Sequence, residues 1–202
     1  MKKSMNNKSI LKKAAMFGLD ARIALAIFGA LSVISGAALY SAISNAKVTA
    51  IVYEVNELSK SVEQYYFDNF SYPMSGTYLS AIRLTTNSLS LTTWNGPYTS
   101  LSEVTATRFI KSASNPDMLL SITPISLANY QAGSRAGCDL KTTKCALIST
   151  IRIVKSDTDT SKPSIFTQLE ENYPDAIYYT YISGSSSYHE LYFFSGGAIM
   201  GS

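Results

Sequence analysis

The chain has 202 residues, which is enough for one domain with an appendage and a sizeable buried core. Apolar residues make up 46% of the chain and charged residues 15%, with 14 tyrosines among the aromatic residues, and this composition excludes intrinsic disorder. The net charge of +3 comes from lysines before residue 16, so no basic patch remains elsewhere to support the binding of nucleic acid.

The N-terminal part of the sequence has the pattern of a membrane anchor. Residues 1–17 are basic and contain no acidic residue, and residues 23–46 carry no charge at all. A helix of that length, rising about 1.5 Å per residue, spans the roughly 30 Å hydrocarbon core of a bilayer. Lysines on the N-terminal side predict a cytoplasmic N-terminus and translocation of the chain after Lys47.

Three interpretations of the apolar run compete. A cleaved secretory signal has an apolar region of about 7–15 residues, shorter than this run, although Ser44 to Ala46 resembles a weak cleavage site. An uncleaved signal anchor fits the same pattern. In the third interpretation, a peptidase cuts before the apolar run, and the run is kept in the mature protein.

The stretch that follows favours retention, because the helical pattern continues beyond Ala46. Apolar residues recur at steps of four, three, four and three, which places them on one helical face: Ile51, Val55, Leu58, Val62 and Tyr65. We therefore predict one helix from about Asp20 to about Phe67, apolar in its first half and amphipathic in its second, that stops ahead of Pro73. The stripe also fits a helix that simply packs on its own globular domain, and this interpretation suits the second half.

A basic leader, a glycine, an apolar helix and an amphipathic continuation together resemble the N-terminus of type IV pilins and type II secretion pseudopilins. The segment VEQYYFDNFSYP (Val62 to Pro73) is similar to the end of the major pseudopilin helix. The segment WNGPY (Trp94 to Tyr98) is similar to a Trp-x-Gly-Pro-Tyr segment of the same proteins. The resemblance covers roughly the first half of the chain. Each motif alone is an ordinary turn signal, and their order and spacing make the combination specific.

The resemblance implies the division of the chain and its fate. A prepilin peptidase would remove residues 1–18 by cutting after Gly18, and Leu19 would become the methylated N-terminal residue. Residues 19–46 would form the transmembrane and filament-core helix, residues 47–72 its amphipathic continuation and residues 73–202 the head. The protein would rest in the inner membrane, then join other pilin-like subunits through an assembly platform in a periplasmic or surface filament.

Assembly residues follow from the same resemblance. Gly29 and Gly36 would let neighbouring helices approach closely, although ordinary glycine usage in transmembrane helices explains them equally well. Most family members have a glutamate four residues after the first mature residue, and here that position is Ile23. The nearest acid is Asp20, beside Arg22; it either pairs with a neighbour's amino terminus or, as we favour, caps the helix.

The C-terminal half predicts an α+β head, with the long helix packed on an antiparallel sheet of four or five strands. Short helices are expected at 77–84 and 163–173, the second with Glu170 and Glu171 exposed, and a turn at Trp94 to Pro97. Strand-like runs with hydrophobic and β-branched residues cover 107–111, 119–125, 146–154, 176–183 and 189–194. The clearest hairpin signal is SGSSS (Ser183 to Ser187) between the last two runs.

Cys138 and Cys145 are close enough in sequence to face each other across a turn, so a local disulfide is expected in an oxidising compartment. The alternatives are two free thiols or half a zinc site. A zinc site needs further ligands, and the only histidine of the chain is His189. The disulfide is the favoured interpretation, and it would hold the loop that enters the strand predicted at 146–154.

No catalytic constellation emerges from the sequence, and we predict that the protein is not an enzyme and needs no cofactor. His189 lies in a tyrosine-rich strand, where a structural role is expected, and neither a Gly-x-Ser-x-Gly elbow nor a phosphate-binding glycine loop is present. Asp157 and Asp159 are weak calcium candidates, and a solvated turn is the favoured interpretation. The family's C-terminal calcium loop does not carry over, because the end SGGAIMGS has no carboxylate.

Two other functions stay open from the sequence. A single-pass anchored protein could display an extracytoplasmic binding domain and never polymerise. An extracytoplasmic hydrolase on a signal anchor ranks well behind it, because its only candidate base is His189.

Overall fold

The structure is a computed structural model that describes residues 7–76, 78–101, 104–105, 108–134, 138 and 145–200. Within these ranges, the side chains of 7–17, 19, 104–105 and 195–200 are outside the description. The chain divides into two compact units, Met1–Asn45 and Ala46–Ser202.

The first helix, α1, runs from Asn7 to Asn69. It begins well before the predicted start at Asp20, because residues 7–19 are rich in lysine, leucine and alanine, which favour helix, and contain no proline. Its end agrees with the predicted stop, three residues before the end of the segment 47–72. Phe70 adopts a left-handed conformation (φ 49°), and the side-chain amide of Asn69 donates to the carbonyl of Tyr65 (2.9 Å), which satisfies a free terminal carbonyl.

The rest of the described chain forms an α+β arrangement with antiparallel pairing, as predicted. A six-stranded sheet has the order β3-β4-β5-β6-β8-β7, one strand more than the upper prediction, because the two-residue β3 joins its edge. The elements after α1 are β1 (Met74–Ser75), β2 (Tyr78–Leu79), α2 (Ile82–Thr85), β3 (Val104–Thr105), β4 (Phe109–Lys111), β5 (Met118–Ser126), α3 (Leu127–Gln131), β6 (Cys145–Lys155), α4 (Ser164–Asn172), β7 (Ile177–Ser183) and β8 (Ser186–Met200).

The helix predicted at 77–84 is wrong in its first part. β1 and β2 form a small hairpin there, and only the four residues of α2 are helical. Gly76, with φ +64°, permits the tight turn between the two strands, and the β-favouring Tyr78 extends the second. Thr77 lies outside the described residues. The strand predicted at 107–111 is observed from Phe109, and its first residue lies outside them as well.

The main core lies between the second half of α1 and one face of the sheet. All five residues of the predicted stripe are buried in it: Ile51, Val55, Leu58, Val62 and Tyr65. They pack with alternate residues of the central strands, among them Leu120, Ile151 and Leu191. Burial of each such aliphatic side chain stabilises the fold by about 1.5–3 kcal/mol. The opposite face of the sheet carries a smaller cluster formed by Ile125, Ala146, Ile148 and Tyr192.

Candidate functional site

The first half of α1 presents an apolar surface. Of the part of the chain that the structure describes, the helix from Asp20 to Asn69 is the one long and apolar enough to cross a membrane, on length and composition alone. Large apolar side chains are exposed all around it: Ile23, Leu25, Ile27, Phe28, Leu31, Val33, Ile34, Leu39, Tyr40 and Ile43. A helix that is apolar on every side is stable in lipid or against other apolar helices.

The sequence-predicted processing and assembly residues lie in or beside this segment. Gly18, Asp20, Arg22, Gly29 and Gly36 are all exposed, while the side chain of Leu19 is outside the description. A Cβ atom added at any of the three glycines would meet nothing within 4 Å. Because their spacings of eleven and seven residues are close to whole numbers of helical turns, the glycines share one face of α1.

The second half of α1 is held to the head by a buried carboxylate. Glu54, only 7% exposed, accepts hydrogen bonds from the Ser112 hydroxyl (2.6 Å) and the Ser114 backbone N–H (2.8 Å). Both donors lie in the turn between β4 and β5. The sequence pattern places Glu54 among the polar positions of the helix, and the structure shows instead that it bonds inside the head.

A second carboxylate, one turn later, binds another loop. The Glu57 side chain accepts hydrogen bonds from the Ser100 N–H (2.7 Å) and the Thr99 hydroxyl (3.1 Å). Burial acts to raise the pKa of Glu57, but the hydrogen bonds from Ser100 and Thr99 outweigh it, so the pKa lies below its ordinary value. The ionised form is therefore the one that joins the helix to this loop.

The WNGPY segment packs against the end of α1. The Ser61 hydroxyl donates to the carbonyl of Tyr98 (2.7 Å), and the Tyr98 ring contacts Tyr65 edge-on at 5.3 Å. Gly96, which forms a cis peptide with Pro97, has no room for a side chain. A Cβ atom there would lie 2.6 Å from the Trp94 ring, a distance that carbon atoms do not tolerate. The glycine and both aromatic residues of this motif therefore have a packing reason.

His189 has the environment of a structural histidine. It is buried, with Nδ1 2.8 Å from the Tyr178 hydroxyl and Nε2 3.1 Å from the Ser187 hydroxyl. Burial, and then the positive charge of Lys155, lower its pKa. The neutral imidazole thus joins β7 and β8 through hydrogen bonds.

The two cysteines form the expected disulfide. Both are buried, and their Cα atoms are 5.9 Å apart. Cys145 is the first residue of β6, and the N–H of Cys138 donates to the carbonyl of Pro124 in β5 (2.9 Å). The bond therefore holds the chain before β6 against the neighbouring strand.

The two calcium candidates lie in an exposed turn and already have partners. Asp157 accepts a hydrogen bond from the N–H of Asp159 (3.1 Å). Asp159 pairs with Lys155 (2.7 Å) and accepts from the hydroxyl and N–H of Ser161, and these contacts lower its pKa. Among the described residues, no group of three or more His, Cys, Asp or Glu side chains is placed to hold a metal ion.

An ion pair that the sequence did not reveal spans β6 and β8. Arg152 pairs with the buried Glu190, which also accepts from the Tyr192 hydroxyl (2.6 Å). The guanidinium stacks over Phe109 at 4.1 Å. Only the register of the strands brings these residues together, so no sequence signal could have found them.

Comparison with known proteins agrees with the family resemblance. The family model for the type II secretion system protein G matches residues 38–106. This range contains the end of the apolar run, the part of α1 seated on the sheet and the WNGPY segment. A search of curated proteins and a search of solved structures each returned no match.

Proposed function

We propose, from the premise that the chain is a pseudopilin-like structural subunit and not an enzyme, that it assembles into a type II secretion pseudopilus or a related filament. Before assembly, the apolar half of α1 anchors it in the inner membrane. In the filament, the same helix packs against helices of neighbouring subunits. The protein acts mechanically, by leaving the membrane and adding to the filament.

One observation carries the proposal: residues 23–46 are uncharged and exposed, and they continue without a break into a helix that packs on the sheet. Lipid and sister helices are the environments in which such a segment is stable. The open space at Gly29 and Gly36 supports close approach of a neighbouring helix.

The proposed route to the filament includes processing of the N-terminus. A prepilin peptidase cuts after Gly18, and Leu19 becomes the first residue. Asp20 and Arg22 then lie next to the new amino terminus, where a carboxylate favours the start of a helix. An inner-membrane assembly platform and other pilin-like subunits are the proposed partners, and the filament lies in the periplasm or at the cell surface.

Intact-mass measurement of the protein purified from its membrane tests the processing. The expected mass lacks residues 1–18 and includes one methyl group. A mass that retains these residues, or one that corresponds to a cut after Ala46, contradicts the proposal. A Gly18→Leu variant, which blocks the proposed cut, should keep the leader, whereas Gly29→Leu should still be processed.

Electron microscopy of expressing cells, with antibody against the head, tests assembly. Labelled filaments are expected, and labelled membranes without filaments would favour the single-pass anchored binding protein. No cofactor enters the proposal. Calcium at Asp157 and Asp159 stays a prediction, which thermal unfolding in calcium and in chelator would test.

A further inference from the structure

β7 is an edge strand without the usual protection against pairing. It lies at the end of the six-stranded sheet and pairs with β8 over all seven of its residues, Ile177 to Ser183. Its sequence, IYYTYIS, contains no charged residue and no proline. Natural edge strands avoid association through charges, prolines, bulges or shortness, and β7 uses none of these.

The register of the hairpin shows which backbone groups face outward. A two-residue turn at Gly184 and Ser185 makes Ser183 and Ser186 the closing hydrogen-bonded pair. Because hydrogen-bonded pairs alternate along an antiparallel ladder, Tyr178, Thr180 and Ile182 direct their N–H and C=O groups away from β8. Thr180 is exposed, Ile182 is 51% exposed, and no described residue bonds to these outward backbone groups.

We propose that β7 pairs with β7 of a second copy of this chain, antiparallel and about a two-fold axis at Thr180. In this register, Thr180 faces its own counterpart and Tyr178 faces Ile182 of the other copy. The three outward-facing residues of each strand then meet each other in hydrogen-bonded positions, so all their backbone groups find partners. A shift by one residue would place outward groups against inward ones and lose these bonds.

The side chains of β7 suit this pairing. The register creates two tyrosine–isoleucine pairs, a combination of aromatic and β-branched residues that stabilises sheets, and it brings no like charges together. On the other face, Tyr179 of one copy lies opposite Tyr181 of the other. Both rings are already fixed within each copy, Tyr179 against Tyr192 at 5.4 Å and Tyr181 stacked on Tyr188 at 4.9 Å.

The register gives a sharp cross-linking test on the full chain reconstituted in lipid vesicles. In a Thr180→Cys variant, the two new cysteines face each other with Cα atoms about 5.5 Å apart, within the range of a disulfide. In the matched control Ile182→Cys, on the same face of the same strand, they lie four residues, or about 13 Å, apart along the strand. Mild oxidation should produce covalent dimers of the first variant at least about tenfold more than of the second.

A charge variant gives a second measurement. Thr180→Lys places two lysines opposite each other at the axis and should abolish association, measured by energy transfer between labelled copies in vesicles. Thr167→Lys adds the same charge at an exposed position of α4 and should leave association unchanged. Equal cross-linking of the two cysteine variants, no cross-linking of either, or equal energy transfer in the two lysine variants would each overturn the proposal.

This contact goes beyond the proposed function and does not depend on it. It uses the head rather than the apolar helix, so cross-linking at Thr180 should persist in a variant whose filament assembly is lost. A protein that forms filaments but gives no Thr180 cross-link would leave the filament intact and refute the edge contact alone.

Discussion

Replacing Glu54 by alanine should destabilise the head strongly. The change removes a buried carboxylate that accepts hydrogen bonds from Ser112 and Ser114 (2.6 and 2.8 Å). Each hydrogen bond to a charged group contributes about 1.5–3 kcal/mol, and relief from burying the carboxylate offsets part of the loss. We therefore expect a loss of about 3 kcal/mol, which for a protein of this size lowers the melting temperature by about 6–12 °C.

Fluorescence of Trp94, the only tryptophan of the chain, reports on unfolding of the head in the detergent-solubilised protein. Glu63→Ala is the matched control, because Glu63 is a half-exposed glutamate of the same helix. It should shift the transition by no more than about 0.5 kcal/mol. If the two variants melt at the same temperature, the bonds of Glu54 do not stabilise the head and the reasoning is refuted.

Three further perturbations follow from the structure. Gly96→Ala should cost about 1–3 kcal/mol in denaturant unfolding, since its Cβ atom overlaps the Trp94 ring, and a change below 0.5 kcal/mol would contradict this packing. Burial keeps the pKa of His189 below its unfolded value near 6.5, so its contribution to stability should be present above that pH and be lost as the pH falls; His189→Gln should flatten this dependence of the urea midpoint, and an unchanged slope would exclude His189. Reduction of the Cys138–Cys145 disulfide, which closes a short loop, should cost about 2–3 kcal/mol, and the Cys138→Ser, Cys145→Ser double variant should melt at the same temperature with and without reductant.

The features that the sequence predicted well are those governed by short-range periodicity. The stripe from Ile51 to Tyr65 identified the buried face of α1, because helical spacing alone fixes which residues share a side. Strands β5 and β6 were found from runs of β-branched and apolar residues between turn signals. The disulfide followed from two cysteines at a spacing that a turn can close.

The features that were missed depend on contacts between distant parts of the chain. Glu54 looks like a solvent-facing residue, since its partners lie 58 and 60 positions away and become neighbours only when the sheet forms. The pairing of Arg152 with Glu190 requires the register of β6 and β8. The hairpin of β1 and β2 was misread because its residues form strands only by pairing with each other.

The polar contacts of α1 make the length of this part of the helix critical. Glu54, Glu57 and Ser61 follow one another at three and four residues, and each bonds to a separate point of the head, at Ser112, Ser100 and Tyr98. One inserted or deleted residue between them would turn the following side chains by about 100° and move them by about 1.5 Å. Substitutions would each affect one contact, whereas a single insertion would separate all the later donors and acceptors at once. Natural variation in this stretch should therefore change residue types and preserve their number.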